Sequence, residues 1–220
     1  MARSGARRTV GAVGTKSTET RAALVEAAID ALQDVGFAGA SARDIARRAD
    51  CNQSLVFYHF GSVTDLLLAA LDDVSARRLT AYQDVVGAAG TLVELIDSSR
   101  AIFEQDLDAG HVAVLVEMIT GAQSVPGLGA QVSARLAPWR EFAETAIGGA
   151  LARSPVAALV PAHEVAHAVV AGFLGLELLA TLDGDRSAAL ALFDRARTIA
   201  SLLDLLGPAA LPAGLAGRSS

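Results

Sequence analysis

From Thr18 the apolar positions recur at helical spacing. Leu24, Ala27, Ala28, Ala31, Leu32 and Val35 share one face, and Gly36 ends the run in the manner of a C-cap. Ser41 can cap a short second helix, with Asp44 in its first turn and Ile45, Ala46 and Ala49 facing inward. Asp50, Cys51 and Asn52 break the period. A third helix follows with Asn52 as its cap and runs through His59, placing Leu55, Val56 and Phe60 inward before Gly61 and Ser62 stop it. Longer helices are expected over residues 64–86, 92–107, 112–123, 128–152, 163–182 and 186–206, each bounded by Gly, Pro or Asp-rich punctuation. No alternating β-branched run survives this pattern, so the expected fold class is all-α.

Two short helices at a tight turn form a helix-turn-helix, the arrangement that sets a second helix into a DNA groove. The segment from Thr18 to about Leu71 resembles the DNA-binding domain of the TetR family of transcriptional regulators. The resemblance rests on Gly36 and Phe37 closing the first helix, on Arg43, Asp44, Ile45 and Ala46 in the second, and on Phe57, Tyr58, His59 and Phe60 in the third. Two departures stand out. Val63 occupies a position where many members carry a phosphate-contacting lysine, and Asp50, Cys51 and Asn52 replace the usual Gly-Val-Ser turn.

The resemblance implies an N-terminal three-helix DNA-binding domain joined to a helical ligand-binding and dimerisation bundle. The expected layout is a flexible basic arm over residues 1–17, the helix-turn-helix over 18–62, the regulatory body over 63–207 and a disordered tail over 208–220. It also implies the contacts. Arg43 would reach base edges, and Gln53, Ser54 and Leu55 would open the recognition helix, where Gln suits adenine and Leu55 could meet a thymine methyl. Tyr58 and His59 would touch phosphate and sugar, Phe57 could make only apolar contact, and Ser41 and Asn52 complete the set. The DNA partner would be a palindromic double-stranded operator read by a homodimer.

Charge sharpens this picture. The formal charge is −6, yet residues 1–65 carry eight Lys/Arg against seven Asp/Glu, while residues 66–220 carry ten against seventeen. Arg3, Arg7, Arg8 and Lys16 meet no acid in the first sixteen residues. Such asymmetry suits a DNA-reading end attached to a body that need not touch phosphate. One cysteine, Cys51, excludes an intramolecular disulfide and fits a reducing compartment. With no apolar run behind the N-terminal arginines, a cytoplasmic location and no membrane partner are expected. The greasiest stretch, Val165–Leu182, is interrupted by His167 and Glu177 and is read as a buried helix.

His163, Glu164 and His167 spell H-E-x-x-H, a spacing that can place two imidazoles on zinc with a glutamate to activate water. The metzincin continuation is missing, since position 170 is Val and position 173 is Phe. Glu177 and Asp183 are possible third ligands. The motif is read as a chance occurrence, with no cofactor and no catalysis expected. His163 and His167 remain the candidates for any metal, and a zinc-dependent hydrolase is one alternative function. A helical dimer that has lost DNA binding is another.

In the body, the large side chains Phe103, Leu107, His111, Leu115, Met118, Gln123, Trp139, Phe142 and Phe173 are candidates for an effector pocket. Few aromatics and no basic cluster point to a small apolar or neutral molecule. The last two helices are apolar on more than one side, and a second copy is the economical cover. By resemblance, Gly172, Gly175, Leu176, Leu179, Leu190, Phe193, Ile199 and Leu203 would line that dimer interface. The function so implied is a transcriptional regulator, a homodimeric repressor released from its operator by the effector.

Overall fold

The computed structural model describes residues 10–152 and 161–206. Residues 1–9 of the expected arm and the expected tail at 208–220 lie outside the described residues. Among those described there is no strand, and the fold is all-α. The helices are α1 (Val10–Gly39), α2 (Ala42–Arg48), α3 (Ser54–Phe60), α4 (Val63–Val86), α5 (Leu92–Ala109), α6 (His111–Gly121), α7 (Leu128–Arg135), α8 (Ala137–Leu151), α9 (Ala162–Asp183) and α10 (Ser187–Leu206).

The chain divides into two compact units, Met1–Ser75 with Ala113–Val132, and Ala76–Val112 with Ser133–Ser220. In the first, Leu24, Ala28, Ala31 and Leu32 of α1 are fully buried, as are Ile45 of α2, Val56 of α3 and Leu66 and Ala70 of α4. The expected inward face of α1 is therefore the one that packs, except that Val35 lies open. α1 begins at Val10, eight residues before the expected start, and takes in residues assigned to the arm. It breaks at Gly36, whose φ of 69° and ψ of 180° suit glycine alone. Beyond the break, Glu117 of α6 accepts a hydrogen bond from the Phe37 amide at 2.8 Å, and the Phe37 ring lies against Gly121.

In the second unit α5 packs on α8, α9 and α10, and α8 packs on α9. Charge pairs strap α5 to α10 in antiparallel order: Asp97 with Arg197 at 2.9 Å, and Arg100 with Asp194. Asp108 and Arg186, just before α10, continue the row at 3.2 Å. The single helix expected over 128–152 is two, because Pro138 in the first turn of α8 lacks the N–H that would bind back to residue 134. Val165–Leu182 differs too. α9 is long and apolar enough to cross a membrane by length and composition, but only 17% of its apolar window is buried within the chain. Its inner face packs on α5 and α8, and its other face is left uncovered.

A Cβ built on Gly121 would stand 2.4 Å from the Phe37 ring. Gly121→Ala is therefore expected to destabilise the first unit by roughly 1–3 kcal/mol, and Phe37→Leu in the same chain to return part of that loss. Additive losses in a denaturant-melting cycle would count against this contact.

Candidate nucleic-acid interface

α2 owes its start to Ser41, whose hydroxyl accepts from the Asp44 amide at 3.2 Å. Asp44 in turn receives Arg47 at 2.6 Å and Arg48 at 2.7 Å, and those hydrogen bonds hold its carboxyl below the usual range. Arg48 also reaches Asp34 of α1 at 2.6 Å, fastening α2 to the helix beneath it. Arg43 is exposed and stands apart from this network, because the carboxylate next to it is already occupied.

The turn into α3 runs through Asp50 at φ 49°. Aspartate tolerates this left-handed region better than most residues, so it can stand where the family places glycine. Asn52 caps differently from the expectation. Its Oδ1 accepts from the Ser54 amide at 2.9 Å and from the Ser54 hydroxyl at 2.8 Å, so the helix begins at Ser54 and Gln53 precedes it. The short Asx turn wins over the longer reach to a later amide. Ser54's hydroxyl proton is thus given to Asn52 rather than held out for a base.

On α3 the seven-residue period leaves Val56 fully buried and Leu55, His59 and Phe60 half-buried. Gln53 is exposed, Phe57 is 48% exposed and Tyr58 78%. Tyr58 and His59 meet edge-to-face with centroids 4.9 Å apart, and Arg21 of α1 sits 4.9 Å over the Phe60 ring. Gly61, at φ 81°, ends the helix, and Ser62 opens α4 by accepting from the Asp65 amide at 3.0 Å. Arg43, Gln53, Phe57 and Tyr58 are consequently open side chains on one helix-turn-helix, while Ser41, Asn52 and Ser54 spend hydrogen bonds on holding it.

The expected effector residues fall into separate groups. Leu115 and Met118 are buried and Gln123 is exposed, all in the first unit. Phe103, Leu107 and Phe173 pack together in the second, where Trp139 and Phe142 join Phe173 around Tyr82 and Ile102. An open-sided cavity of about 580 Å³ lies elsewhere in that unit, lined by Ala137, Arg140, Glu141, Glu144, His163, Glu164 and His167. The two histidines gain no third ligand. Among the described residues no group of three His, Cys, Asp or Glu is arranged to hold a metal, and Glu177 turns to another partner.

That partner is Arg78, the centre of a buried cluster the sequence reading missed. Its Nη2 donates to Asp106 and, at 3.1 Å, to Glu177 Oε1, while its Nε is 3.2 Å from Asp106 and 3.1 Å from the Tyr82 hydroxyl. Tyr82 donates to Asp106, and His111 Nδ1 lies 3.3 Å from the same carboxylate. The Trp139 ring covers the guanidinium, 5.2 Å from its centroid. A lone glutamate within an apolar helix was the one available signal.

Of the expected interface residues, Gly172, Leu179 and Ile199 are exposed, while Gly175 and Leu203 are half-buried. Leu176, Leu190 and Phe193 instead pack inward around Phe103, because they share the helix faces that meet α5. Val169, Leu178, Leu182, Leu192 and Leu202 are the further large apolar side chains left open on α9 and α10.

Fold and site together define a helix-turn-helix protein with an all-helical body. Residues 24–70 match the model of the bacterial regulatory proteins, tetR family. The chain belongs to the TetR family. It is 32% identical over 107 residues to an HTH-type transcriptional regulator of Mycobacterium tuberculosis, across 48% of this chain and 54% of the relative. It is 41% identical over 63 residues, 29% of this chain and 34% of the relative, to an HTH-type transcriptional repressor of the same organism. The chain thus spans about half the length of the first of these relatives. A solved TetR-family structure from Streptomyces coelicolor aligns over 84% of this chain and 97% of its own, with 25% identity and a TM-score of 0.61.

Burial pushes the Glu177 carboxyl up to about 8, Arg78 opposing the rise and Asp106 adding to it. A folded value above the ordinary 4.5 means a contribution to stability that is full below that value and lost as pH climbs toward 8. Thermal midpoints should therefore fall over this window more steeply for the native chain than for Glu177→Gln. Parallel curves would contradict the assignment.

Proposed function

We propose that this protein is a sequence-specific DNA-binding transcriptional regulator, a homodimeric repressor that leaves a palindromic operator when a small molecule binds its helical body. The observation that carries the reading is the open edge of the helix-turn-helix, where Arg43, Gln53, Phe57 and Tyr58 are exposed without structural duties while α2 and α3 are held from below. The relative named a transcriptional repressor supports the direction of control. Arg43 suits guanine, Gln53 adenine, and Tyr58 a phosphate oxygen. Leu55, half-buried, is left a smaller role at a thymine methyl. A cytoplasmic location follows from this function.

The large apolar side chains left open on α9 and α10 support a second copy as their cover. Leu179, Leu182, Ile199 and Leu202 stand on that open surface. Leu179→Glu with Ile199→Glu is expected to give a folded monomer at concentrations where the native chain sediments as a dimer, and an unchanged sedimentation coefficient would remove this surface from the interface.

Selection of duplexes from a random pool tests the DNA reading. The native chain should enrich a palindrome that a Gln53→Ala/Tyr58→Ala variant does not, and no enrichment at moderate salt would defeat it. On the selected operator Arg43→Ala should cost roughly 1–3 kcal/mol and relax preference at one position of each half-site. Equal losses on operator and random duplex would instead give Arg43 a phosphate role.

A further inference from the structure

The cluster around Arg78 is unbalanced in both charge and hydrogen bonds. One guanidinium faces two carboxyl groups, Asp106 and Glu177, whose side chains are 2% and 0% exposed. Asp106 is well supplied with donors, taking Arg78 twice and the Tyr82 hydroxyl with His111 beside it. Glu177 is not. Its Oε1 receives Arg78, but its Oε2 is buried with no donor among the described residues. An enclosed carboxylate oxygen in that condition carries a desolvation cost of several kcal/mol unless a proton or another positive donor reaches it.

The walls around this oxygen are apolar and aromatic. Tyr82 and Trp139 meet edge-to-face at 5.5 Å, Phe142 and Phe173 pack in the same group, and Phe103 meets Phe173 at 5.6 Å. Trp139 and Phe142 on α8 are only half-buried, so the aromatic wall reaches solvent. The ring faces attract cations, as Trp139 already does with Arg78.

We propose that this cluster is the effector-recognition element and that the effector is an organic amine, its ammonium donating to Glu177 Oε2 and its apolar body lying against Trp139, Phe142 and Phe173. The proposal rests on the reading of the protein as a ligand-responsive regulator and adds the chemical class, replacing the apolar or neutral molecule expected from composition. An anionic ligand would have to displace a carboxylate from Arg78 and deepen an existing negative excess. An alcohol could donate to Oε2 and would leave the excess in place. The ammonium supplies both the donor and the charge. A proton on Glu177 does the same job in the empty site, which is why burial raises that carboxyl, with Arg78, Tyr82, Asp106 and His111 the charged and titratable groups around it. Ligand and proton therefore compete, and binding of the ammonium releases the glutamate's proton to solvent.

Calorimetry on the full chain without DNA tests this, with 2-phenylethylamine as probe and 2-phenylethanol and 3-phenylpropionate as its neutral and anionic counterparts. Buffers of different ionisation enthalpy report proton release. The amine is expected to bind about tenfold or more tightly than either counterpart, with proton release below the Glu177 titration that disappears above it. Glu177→Gln keeps the shape of the side chain, and its fold is checked by its melting curve. It should lose about tenfold or more in amine affinity and all the proton release, whereas Glu144→Gln in the open cavity should bind as the native chain does. Absence of amine binding, equal affinity for amine and alcohol, or native affinity in Glu177→Gln overturns the proposal. DNA takes no part, so such a failure leaves operator binding standing, and failure of the duplex selection leaves the amine result intact.

Discussion

A seven-residue helix cannot hold its own shape in water, because nucleation costs more than so few hydrogen bonds return. α3 has that length, and Val56 is its one fully buried side chain. Everything that α3 presents outward depends on what grips it from beneath and at its ends. Val56 fixes the inner face, the Asx turn at Asn52 fixes the start, and Gly61 in its left-handed conformation fixes the stop. Arg21 on the Phe60 ring adds a contact from α1. The polar residues of the turn are thereby consumed in building the helix, and reading is left to side chains that build nothing.

The same division of labour explains α2. Asp44, Arg47 and Arg48 form one charge network that reaches α1 through Asp34, and Arg43 stands outside it. Exposed pairs of this kind add little stability individually, so their use is geometric. They occupy the nearby carboxylates that would otherwise draw Arg43 away from a phosphate or a base edge. A charged side chain with no local partner is unremarkable on a surface, but beside exposed Gln53 and Tyr58 it completes a reading edge.

Helical periodicity made most of the elements legible, since the apolar stripes of α1, α5 and α10 are the faces that pack. Ser41 and Gly36 were legible as caps because their chemistry is local. What could not be read depended on partners far along the chain. Arg78 meets Asp106 and Glu177 across separations of 28 and 99 residues, and nothing in the sequence near any of them announces the others. Leu176, Leu190 and Phe193 were assigned to the outer surface because an all-apolar helix does not say which of its faces meets its own chain. Gln123 was grouped with pocket residues by proximity in sequence, and it lies exposed past the end of α6.

α9 resolves that ambiguity in physical terms. Its inner face carries Ala166, Phe173, Glu177 and Ala180, packed on α5 and α8, while Leu178, Leu179 and Leu182 remain outside. One helix thus holds a buried, charge-bearing side and an apolar side open to a second surface. The burial of Glu177 is tolerable only because Arg78 comes to it, and the exposure of three leucines is tolerable only if something covers them. Both faces therefore depend on what another element supplies. Binding at the inner face and association at the outer face would act through the same short stretch of backbone, from Phe173 to Leu182. A ligand that moved Glu177 would move the leucines beside it, which gives effector binding and dimer geometry a common element without any longer pathway.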